Sequence, residues 1–335
     1  MDKKINISIV IPSLNGENHL RDFLIKNLEI IKATLENEKA YNKIELIVIN
    51  DNSSDNSLEY LKECQRDYDF LIFATNPKQG AGSARNQGVS ISSLSSSNQN
   101  SLNYILFIDN DVLLDETFFT NTIKYLQTEP FCITCNGISY FTKQKQDGVK
   151  LLTFKRGFFR FTKNIYKNEL ANIENELNIA SFGAQGAYFF LKYEDFMELG
   201  GYDEFMDPYL LEESDLVYRG LKRGKSCIYA PDVTGYHKVG GTIASKVSTR
   251  TKILSKRNRN YFVWKNLHNS SLLLNHYLFL FLSIFSIIGF RGFIASLKMY
   301  KKAKELNKKE RAFIKLDDLE ILEASRKFEQ KHKKS

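Results

Sequence analysis

The amino-acid sequence predicts an α/β fold with a mostly parallel central sheet flanked by helices. Short apolar segments rich in β-branched residues alternate with helical segments along the first third of the chain. Within these segments consecutive residues, which point to opposite faces of a strand, are mostly apolar, and this pattern is typical of strands covered on both faces. Polar or acidic residues follow the segments directly, at the edge where α/β sheets bind their ligands.

The predicted elements follow one another in a regular order. The strands are "INISIVIP", "KIELIVIND", "FLIFATN" and "YILFID", and the helices between them are "ENHLRDFLIKNLEIIKATLENE", "SSDNSLEYLKECQ" and "GAGSARNQGVSIS". The first helix carries its large apolar residues on one side, and the second opens with the capping residues Ser54 or Asp55. The second half adds a strand and a short helix in "GAQGAYFFLKYEDFMELGGYDE", and a helix in "YLLEESDLVYRGLKRGK" that begins with acids and ends with bases.

Composition and charge narrow the class of protein. A chain of 335 residues, 43% hydrophobic, is long enough for a catalytic domain with an appendage. Most of its net charge of +8 lies in the tail from Lys298 onward, where the lysines are mixed with Asp317, Asp318, Glu320 and Glu323, so we expect no nucleic-acid partner. The N-terminus has no apolar signal segment, so we expect no export and no disulfide framework. Cys132 and Cys135 have zinc-knuckle spacing, but no second ligand pair stands nearby, and we expect no zinc site.

The segment "LLLNHYLFLFLSIFSIIGF", residues 272–290, is the most apolar of the chain. Its uninterrupted part, Tyr277 to Phe290, is shorter than the about 20 residues that a bilayer span needs. Basic residues stand on both sides, in 250–265 and from Lys298, and a single span would leave one basic flank on the wrong side. We therefore predict that the segment lies in, or dips into, a membrane surface. The alternative is a buried hairpin packed on the preceding domain.

Two carboxylates, Asp109 and Asp111, follow the strand "YILFID" and are separated by one residue. Carboxylates at a strand end suit a hard divalent cation such as Mg²⁺ or Mn²⁺, which takes oxygen ligands and is often shared with phosphates. Asp and Asn are also common after strands because they make turns, so a plain turn is the alternative.

Several segments, in order, resemble family 2 glycosyltransferases, which have the GT-A (nucleotide-diphospho-sugar transferase) fold. The segments that carry the resemblance are "ISIVIPSLNGENHL", "IELIVINDNSSDNS", "NPKQGAGSARNQGV", "FIDNDV", "GGYDEFMDPYLLEESDLVYRGLKRG" and "GYHKVGGT". The resemblance covers roughly the first 265 residues. It implies a catalytic domain over residues 1–265, followed by an apolar and basic helical region over 266–335 that associates with a membrane.

The resemblance also implies roles for individual residues. Those that would bind the nucleotide-sugar are Pro12, Asn15, Asp51, Arg85, Asn86 and Asp109. Asp109, Asp111 and His237 would hold Mn²⁺ or Mg²⁺, although a histidine in a loop is as often a plain surface residue. Arg85 and Asn86 have an exposed helix face as their alternative.

The catalytic base is implied to be Glu213, where the family usually has an aspartate. Glu212 and Asp215 remain alternatives, and acids at a helix N-terminus also interact favourably with the helix dipole. Asp55 would support the nucleotide-binding turn, or act only as a helix cap.

The function that the resemblance implies is an inverting, metal-dependent sugar transfer from a nucleotide-diphosphate sugar to a saccharide hydroxyl. We expect the acceptor to be lipid-linked, the product to be a surface polysaccharide, and the enzyme to lie at the cytoplasmic face of the cell membrane. The alternative is a catalytically inactive membrane scaffold of the same fold. In "FKRGFFRF", Arg156 and Arg160 with the neighbouring phenylalanines suggest a lip for an anionic lipid phosphate, but an ordinary hairpin with solvated arginines is the simpler interpretation.

Overall fold

The computed structural model describes residues 3–96, 100–171, 176–238 and 248–332. Its strands are β1 (Ile5–Ser13), β2 (Tyr41–Asn50), β3 (Leu71–Thr75), β4 (Leu102–Ile108), β5 (Val112–Leu114), β6 (Cys132–Ser139), β7 (Lys145–Asp147), β8 (Val149–Lys155), β9 (Phe158–Ile165), β10 (Ile179–Ala180), β11 (Tyr188–Lys192) and β12 (Cys227–His237). Its α-helices are α1 (Glu17–Asn37), α2 (Ser57–Gln65), α3 (Ala81–Ser90), α4 (Phe118–Leu126), α5 (Tyr193–Leu199), α6 (Glu212–Lys222), α7 (Thr249–Asn266), α8 (Ser270–Ser283), α9 (Ile287–Glu310) and α10 (Asp318–His332).

The main sheet has the strand order β10-β12-β6-β11-β4-β1-β2-β3. Strands β4, β1, β2 and β3 are parallel, β11 runs antiparallel between β4 and β6, and β12 returns parallel to β6. The predicted mostly parallel sheet flanked by helices is therefore confirmed. Because β1, β2 and β4 point the same way, the loops that follow them lie at one edge of the sheet.

Helices cover both faces of this sheet. Consecutive residues of β1, Ile9 and Val10, are fully buried and enter different hydrophobic cores. Helix α1 supplies Leu20, Leu24 and Leu28 to one core, while α5, α6 and α7 contribute to the other. Burial on both faces explains why the strands are apolar without alternation.

Strands β8 and β9 form a separate antiparallel hairpin, whose turn lies at Arg156 and Gly157 with φ of 52° and 75°. This hairpin packs against the helices that follow the sheet: the rings of Phe159 and Tyr218 are 4.9 Å apart, and those of Phe161 and Phe262 are 5.8 Å apart. The hairpin thus forms one wall beside α6 and α7.

The apolar segment 272–290 divides between two helices, α8 and α9, because the chain turns between Ser283 and Ile287. Within the described residues, no helix is long and apolar enough to cross a membrane. The inner side of α8 packs on the β8–β9 turn through His276, whose Nδ1 is 2.9 Å from the carbonyl of Gly157. The outer side of α8 exposes large apolar residues, namely Leu274, Tyr277, Leu278, Phe281 and Leu282.

The predicted domain boundary at residue 265 falls in the last turn of α7, and it stays a prediction. The helices beyond it contact the preceding part of the chain closely. On α9, a Cβ atom added to Gly292 would lie 2.4 Å from the Cβ of Lys256 on α7. Helices α7 and α9 therefore pack closely at this glycine. On α10, the buried Asp318 accepts hydrogen bonds from Tyr218 and Lys222 of α6 at 2.7 and 2.6 Å.

Candidate active site

The turn Asp109-Asn110-Asp111 connects β4 to β5 at the carboxyl edge of the sheet. Its backbone is held at both sides, since the Asp109 amide donates to the carbonyl of Ala187 at 2.8 Å and the Asn110 side chain donates to Oγ of Ser13 at 2.9 Å. The Asp109 side chain is 34% exposed and the Asp111 side chain 13% exposed. Both carboxylates therefore remain accessible at the end of a fully buried strand.

His237, the last residue of β12, joins the two carboxylates. Strand β5 pairs with β12 so that Val112 lies opposite His237, which brings its Nε2 to 3.2 Å from Oδ1 of Asp111. One ligand atom from each of Asp109, Asp111 and His237 lies within 4.8 Å of the others. Two carboxylates and an imidazole this close together are a donor set that fits a divalent cation such as Mn²⁺.

The electrostatics of this cluster also suit a cation. Burial and the neighbouring Asp111 carboxylate raise the pKa of Asp109 to about 6, although Arg85 opposes this shift. Burial disfavours protonation of His237, but the Asp111 carboxylate outweighs it and raises the histidine pKa. Both shifts include a contribution from the negative charge of Asp111, which a bound cation would offset.

Arg85 on α3 is the centre of the site. Its Nη2 lies 2.9 Å from Oδ1 of Asp109, and its Nη1 lies 3.2 Å from Oε1 of Glu212 at the start of α6. The guanidinium also lies 5.6 Å from the centre of the Tyr202 ring. The side chain is 7% exposed, so the alternative of an exposed helix face is wrong for Arg85.

The three acids of α6 have different surroundings. Glu212 is buried beneath Arg85, and its Oε2 has no hydrogen-bond partner within the described ranges. Burial and the charge of Glu213 raise the pKa of Glu212 to about 8. Burial thus favours the protonated form of Glu212, while the contact with Arg85 opposes it.

Asp215 is fully buried in a network that joins α6 to α7. It accepts from Arg219 at 2.9 Å, from Lys265 at 2.8 Å and from Asn266 at 2.7 Å. Burial favours its neutral form, but Lys265 and Arg219 prevail and lower the pKa of Asp215. This carboxylate is occupied by structural contacts.

Glu213 is half-buried and lines an open cleft. The hydroxyl of Ser214 lies 3.3 Å from its Oε1. The residues that line the cleft are Lys150, Phe159, Arg160, Phe161, Ala184, Gly186, Leu211, Glu213, Ser214 and Arg259.

Asp51 follows β2 and is 5% exposed. Its carboxylate accepts from the side chain of Asn76 at 2.6 Å and from the backbone amide of Gly80 at 3.0 Å, so it shapes the loop that leads into α3. Asn15, at the end of β1, accepts from the Ser54 amide at 2.7 Å. The loops after β1 and β2 thus form one connected rim.

Two further predicted residues make mainly structural contacts. Asn86 exchanges two hydrogen bonds with the backbone of Tyr202, at 2.9 and 3.0 Å, and so fixes the loop that precedes α6. Asp55 accepts from the amides of Ser57 and Glu17, the first residues of α2 and α1. The predicted helix cap at Ser54 or Asp55 is wrong, because the N-cap residue of α2 is Asn56. Pro12 lies half-buried within β1, opposite Ile49 of β2.

The structure of the β8–β9 hairpin corrects the hypothesis that its arginines and phenylalanines form a lip for a lipid phosphate. Phe158 and Phe159 are only 5% and 6% exposed, because they pack in the core beneath the hairpin. Arg156 is exposed at the turn, whereas Arg160 lines the cleft that contains Glu213. Of the two arginines, only Arg160 lies at the candidate active site.

Sequence reasoning missed several residues of the site. Arg259 of α7 lines the cleft, and the Lys256 ammonium lies 5.6 Å from the centre of the Phe158 ring of the hairpin. Lys265, in the same basic run, is buried against Asp215. The spacing of Lys256 and Arg259, three residues apart, places them on one helix face and was the available signal.

Asp207 was also missed. It accepts from the Gly82 amide at 2.9 Å, and its Oδ2 has no partner in the part of the chain that the structure describes. No local pattern marks it, because its contacts come from the start of α3.

Solved structures with a similar fold support the architecture. The chain aligns with GalNAc-T7 in complex with UDP, GalNAc and Mn²⁺ at a TM-score of 0.55 and 15% identity, over 83% of this chain and 55% of that one. It aligns with S. aureus TarS 1-349 at a TM-score of 0.53 and 12% identity, over 97% of this chain and 88% of that one. At such identities the likeness shows the fold alone, and the predicted GT-A fold is confirmed.

Curated relatives match a limited part of the chain. The poly-beta-1,6-N-acetyl-D-glucosamine synthase of Staphylococcus aureus (strain COL) is 34% identical over 90 residues, which are 26% of this chain and 20% of the relative. Glycosyltransferase GlyA of Streptococcus pneumoniae is 31% identical over 123 residues, which are 36% of this chain and 15% of the relative. The matched part thus spans a fifth or less of these relatives.

The broadest match is to a family of sequences. The sequence profile described as "Glycosyl transferase family 2" matches residues 8–193, more than half of the chain. This range contains the loops after β1, β2 and β4 and the start of α3, and thus Asp51, Arg85, Asp109 and Asp111 of the site, while His237 and the acids of α6 lie beyond it. The chain therefore belongs to glycosyl transferase family 2.

Proposed function

We propose that this protein is an inverting glycosyltransferase that moves a sugar from a nucleotide-diphosphate donor to a hydroxyl of a saccharide acceptor. The observation that carries the proposal is the position of Arg85, which contacts both Asp109 of the metal-ligand cluster and Glu212 beside Glu213. A donor site and an acceptor cleft therefore share one buried cation.

Asp109, Asp111 and His237 are the residues that would hold Mn²⁺ or Mg²⁺, and a divalent cation there offsets the charge that develops on a diphosphate leaving group. Structures of similar fold were solved with UDP and Mn²⁺ or with GDP-Man and Mn²⁺, the latter being the mannosyltransferase PcManGT from Pyrobaculum calidifontis at a TM-score of 0.50. These partners support a nucleotide-sugar donor. The residues proposed to bind it are Pro12, Asn15, Asp51, Arg85, Asn86 and Asp109.

Glu213 is the proposed general base. Its carboxylate faces the cleft, and within the described residues no cation pairs with it, whereas Glu212 contacts Arg85 and Asp215 contacts Lys265 and Arg219. A hydroxyl bound in the cleft would pass its proton to Glu213 as it attacks the sugar. One base and direct displacement give inversion, since a retaining mechanism through a covalent intermediate needs a second carboxylate as nucleophile.

The acceptor and the location are proposed from two observations. A curated relative makes poly-beta-1,6-N-acetyl-D-glucosamine, which supports a role in surface polysaccharide synthesis. Helices α8 and α9 expose an apolar surface, the "apolar face", formed by Leu274, Tyr277, Leu278, Phe281, Leu282, Phe285, Ile287, Phe290, Ile294 and Leu297. Such a surface on a soluble domain indicates an interaction site, and we propose peripheral binding at the cytoplasmic face of the membrane.

The test is calorimetric binding of UDP, GDP and dTDP, each with Mn²⁺ or with a chelator, to the wild type and to Asp111→Ala. We expect one nucleotide to bind, and its binding to require both Mn²⁺ and Asp111. The anomeric configuration of the product, read by NMR, tests inversion. A folded protein that binds no nucleotide would instead favour the inactive membrane scaffold.

A further inference from the structure

Three cations lie together on the acceptor side of the site, and no residue that the structure describes supplies a counterion for them. Arg160 of β9 and Arg259 of α7 both line the cleft, and Lys256 lies one turn before Arg259 on the same helix. In the described ranges, none of the three forms a hydrogen bond or an ion pair. We refer to Arg160, Lys256 and Arg259 as the cationic cluster.

The cluster is electrostatically unfavourable as it stands. Burial, followed by repulsion from Arg259 and Arg160, lowers the pKa of Lys256, and burial together with Arg160 lowers the pKa of Arg259. The other partly buried cations near the cleft have acidic partners, for example Lys150 with Asp147 and Arg85 with Asp109. Partly buried positive charges need a partner, and arginine pairs bind phosphate groups with several charge-assisted hydrogen bonds.

The position of the cluster identifies which substrate would carry the anion. Arg160 and Arg259 share their cleft with Glu213, whereas Asp109 contacts Arg85 and does not line this cleft. A donor diphosphate is expected at the metal-ligand cluster, so a second anion beside Glu213 belongs to the acceptor.

The cluster also lies between the cleft and the apolar face. The ammonium group of Lys256 is 5.6 Å from the centre of the Phe158 ring, and that ring is 5.1 Å from the ring of His276 on α8. Helix α8 carries the first half of the apolar face on its outer side. Moving outward from Glu213, the order is therefore cleft, cations and apolar surface.

We propose that Arg160, Lys256 and Arg259 bind a phosphate or diphosphate group of the acceptor, between the attacking hydroxyl and an apolar anchor. This inference rests on the proposed function and narrows its acceptor to a phosphate-bearing saccharide. A lipid-linked diphosphate and a water-soluble sugar phosphate present the same anionic group, and the apolar face favours the lipid-linked form.

The test uses equilibrium binding in the presence of a chelator, so that the metal site does not contribute. The probes are inorganic pyrophosphate and geranyl diphosphate, titrated into the wild type, Arg160→Gln/Arg259→Gln and Lys256→Gln. Arg156→Gln is the matched control, because it removes an equal charge from the exposed turn of the same hairpin. Thermal unfolding of each variant checks that it is folded.

We expect each probe to bind Arg156→Gln as tightly as it binds the wild type. We expect each probe to bind the double variant more weakly, by about tenfold or more. Lys256→Gln provides a second reading if the double variant does not fold. Tighter binding of geranyl diphosphate than of pyrophosphate supports the lipid-linked acceptor, and equal binding supports a soluble sugar phosphate. Absence of binding to the wild type, or equal loss in Arg156→Gln, overturns the proposal.

Failure of the cluster and failure of the proposed function are separable. Nucleotide binding with Mn²⁺ depends on Asp111 and reports on the transferase proposal, whereas diphosphate binding with chelator reports on the cluster. A protein that binds UDP with Mn²⁺ but neither diphosphate probe is a transferase whose acceptor is neutral at this position.

Discussion

Nη2 of Arg85 lies 2.9 Å from Oδ1 of Asp109, which connects helix α3 to the end of the central strand β4. The same guanidinium reaches Glu212 at 3.2 Å. A planar group with its donors in a fixed fork is preorganised to contact two acidic side chains at once. This arrangement couples the proposed donor and acceptor sides of the active site.

We therefore expect Arg85→Lys to lower kcat by about tenfold to a hundredfold, with a smaller effect on thermal stability. Steady-state kinetics with the nucleotide-sugar identified by calorimetry measures the change. Arg66→Lys, at an exposed position beyond α2, is the control and should behave as the wild type. Unchanged kcat in Arg85→Lys would show that the guanidinium serves the fold alone.

The metal-ligand cluster predicts changes in Mn²⁺ affinity that can be measured without an activity assay. Its residues are Asp109, Asp111 and His237. We expect His237→Ala to weaken Mn²⁺ binding by about tenfold or more, and Asp111→Asn to weaken it further, because each removes a ligand. Titration followed by electron paramagnetic resonance of free Mn²⁺ measures the affinities. Glu116→Gln, which neutralises an exposed acid shortly after the turn, should leave Mn²⁺ binding intact.

The different surroundings of Glu213 and Asp215 predict different defects. Glu213→Gln should lower kcat by about a hundredfold to ten-thousandfold while nucleotide binding and stability are preserved, as expected for a general base. Asp215→Asn should instead destabilise the protein by about 3–5 kcal/mol, because it leaves Lys265 buried with a weakened partner network. Urea unfolding and single-turnover assays separate the two. A stable but inactive Asp215→Asn, with active Glu213→Gln, would reverse the assignment.

The buried Glu212 predicts a pH-dependent stability. Burial and Glu213 raise its pKa from about 4.5 to about 8, so the folded state holds this proton more tightly than the unfolded state. The corresponding stabilisation is complete below about pH 4.5 and is lost as the pH rises through about 8. Relative to the wild type, Glu212→Gln should gain free energy of unfolding between these limits. If the free energies of unfolding of both proteins, measured with urea, change equally with pH, the raised pKa of Glu212 is contradicted.

The apolar face predicts membrane binding that can be removed by mutation without lowering the stability of the protein. Phe281, Phe285 and Phe290 are 57%, 76% and 51% exposed, so replacing all three by serine removes apolar surface without opening the core. We expect the triple variant to lose most of its co-sedimentation with anionic vesicles at an unchanged midpoint of thermal unfolding. Leu35→Ser, at an exposed position on α1, is the control. If both variants bind vesicles equally, the apolar face does not bind the membrane and contacts something else.

Local patterns in the sequence determined the order of the elements and the position of the Asp109-Asn110-Asp111 turn. Continuous apolar segments marked β1, β2 and β4, because strands covered on both faces need no polar residues. The sheet edge that carries this turn followed from the parallel order of those strands. Each of these features depends on residues that are neighbours along the chain.

Only the tertiary structure separated Glu212, Glu213 and Asp215, which are within four positions of one another at the start of α6. Successive helical residues point in different directions, and the partners that decide their charge come from α3 and α7. The apolar segment 272–290 was likewise undecided by its length, until the turn between α8 and α9 divided it. The cationic cluster arises from two elements far apart in sequence, so no local pattern specifies it: charge and burial at a site depend on what the fold brings within a few ångströms.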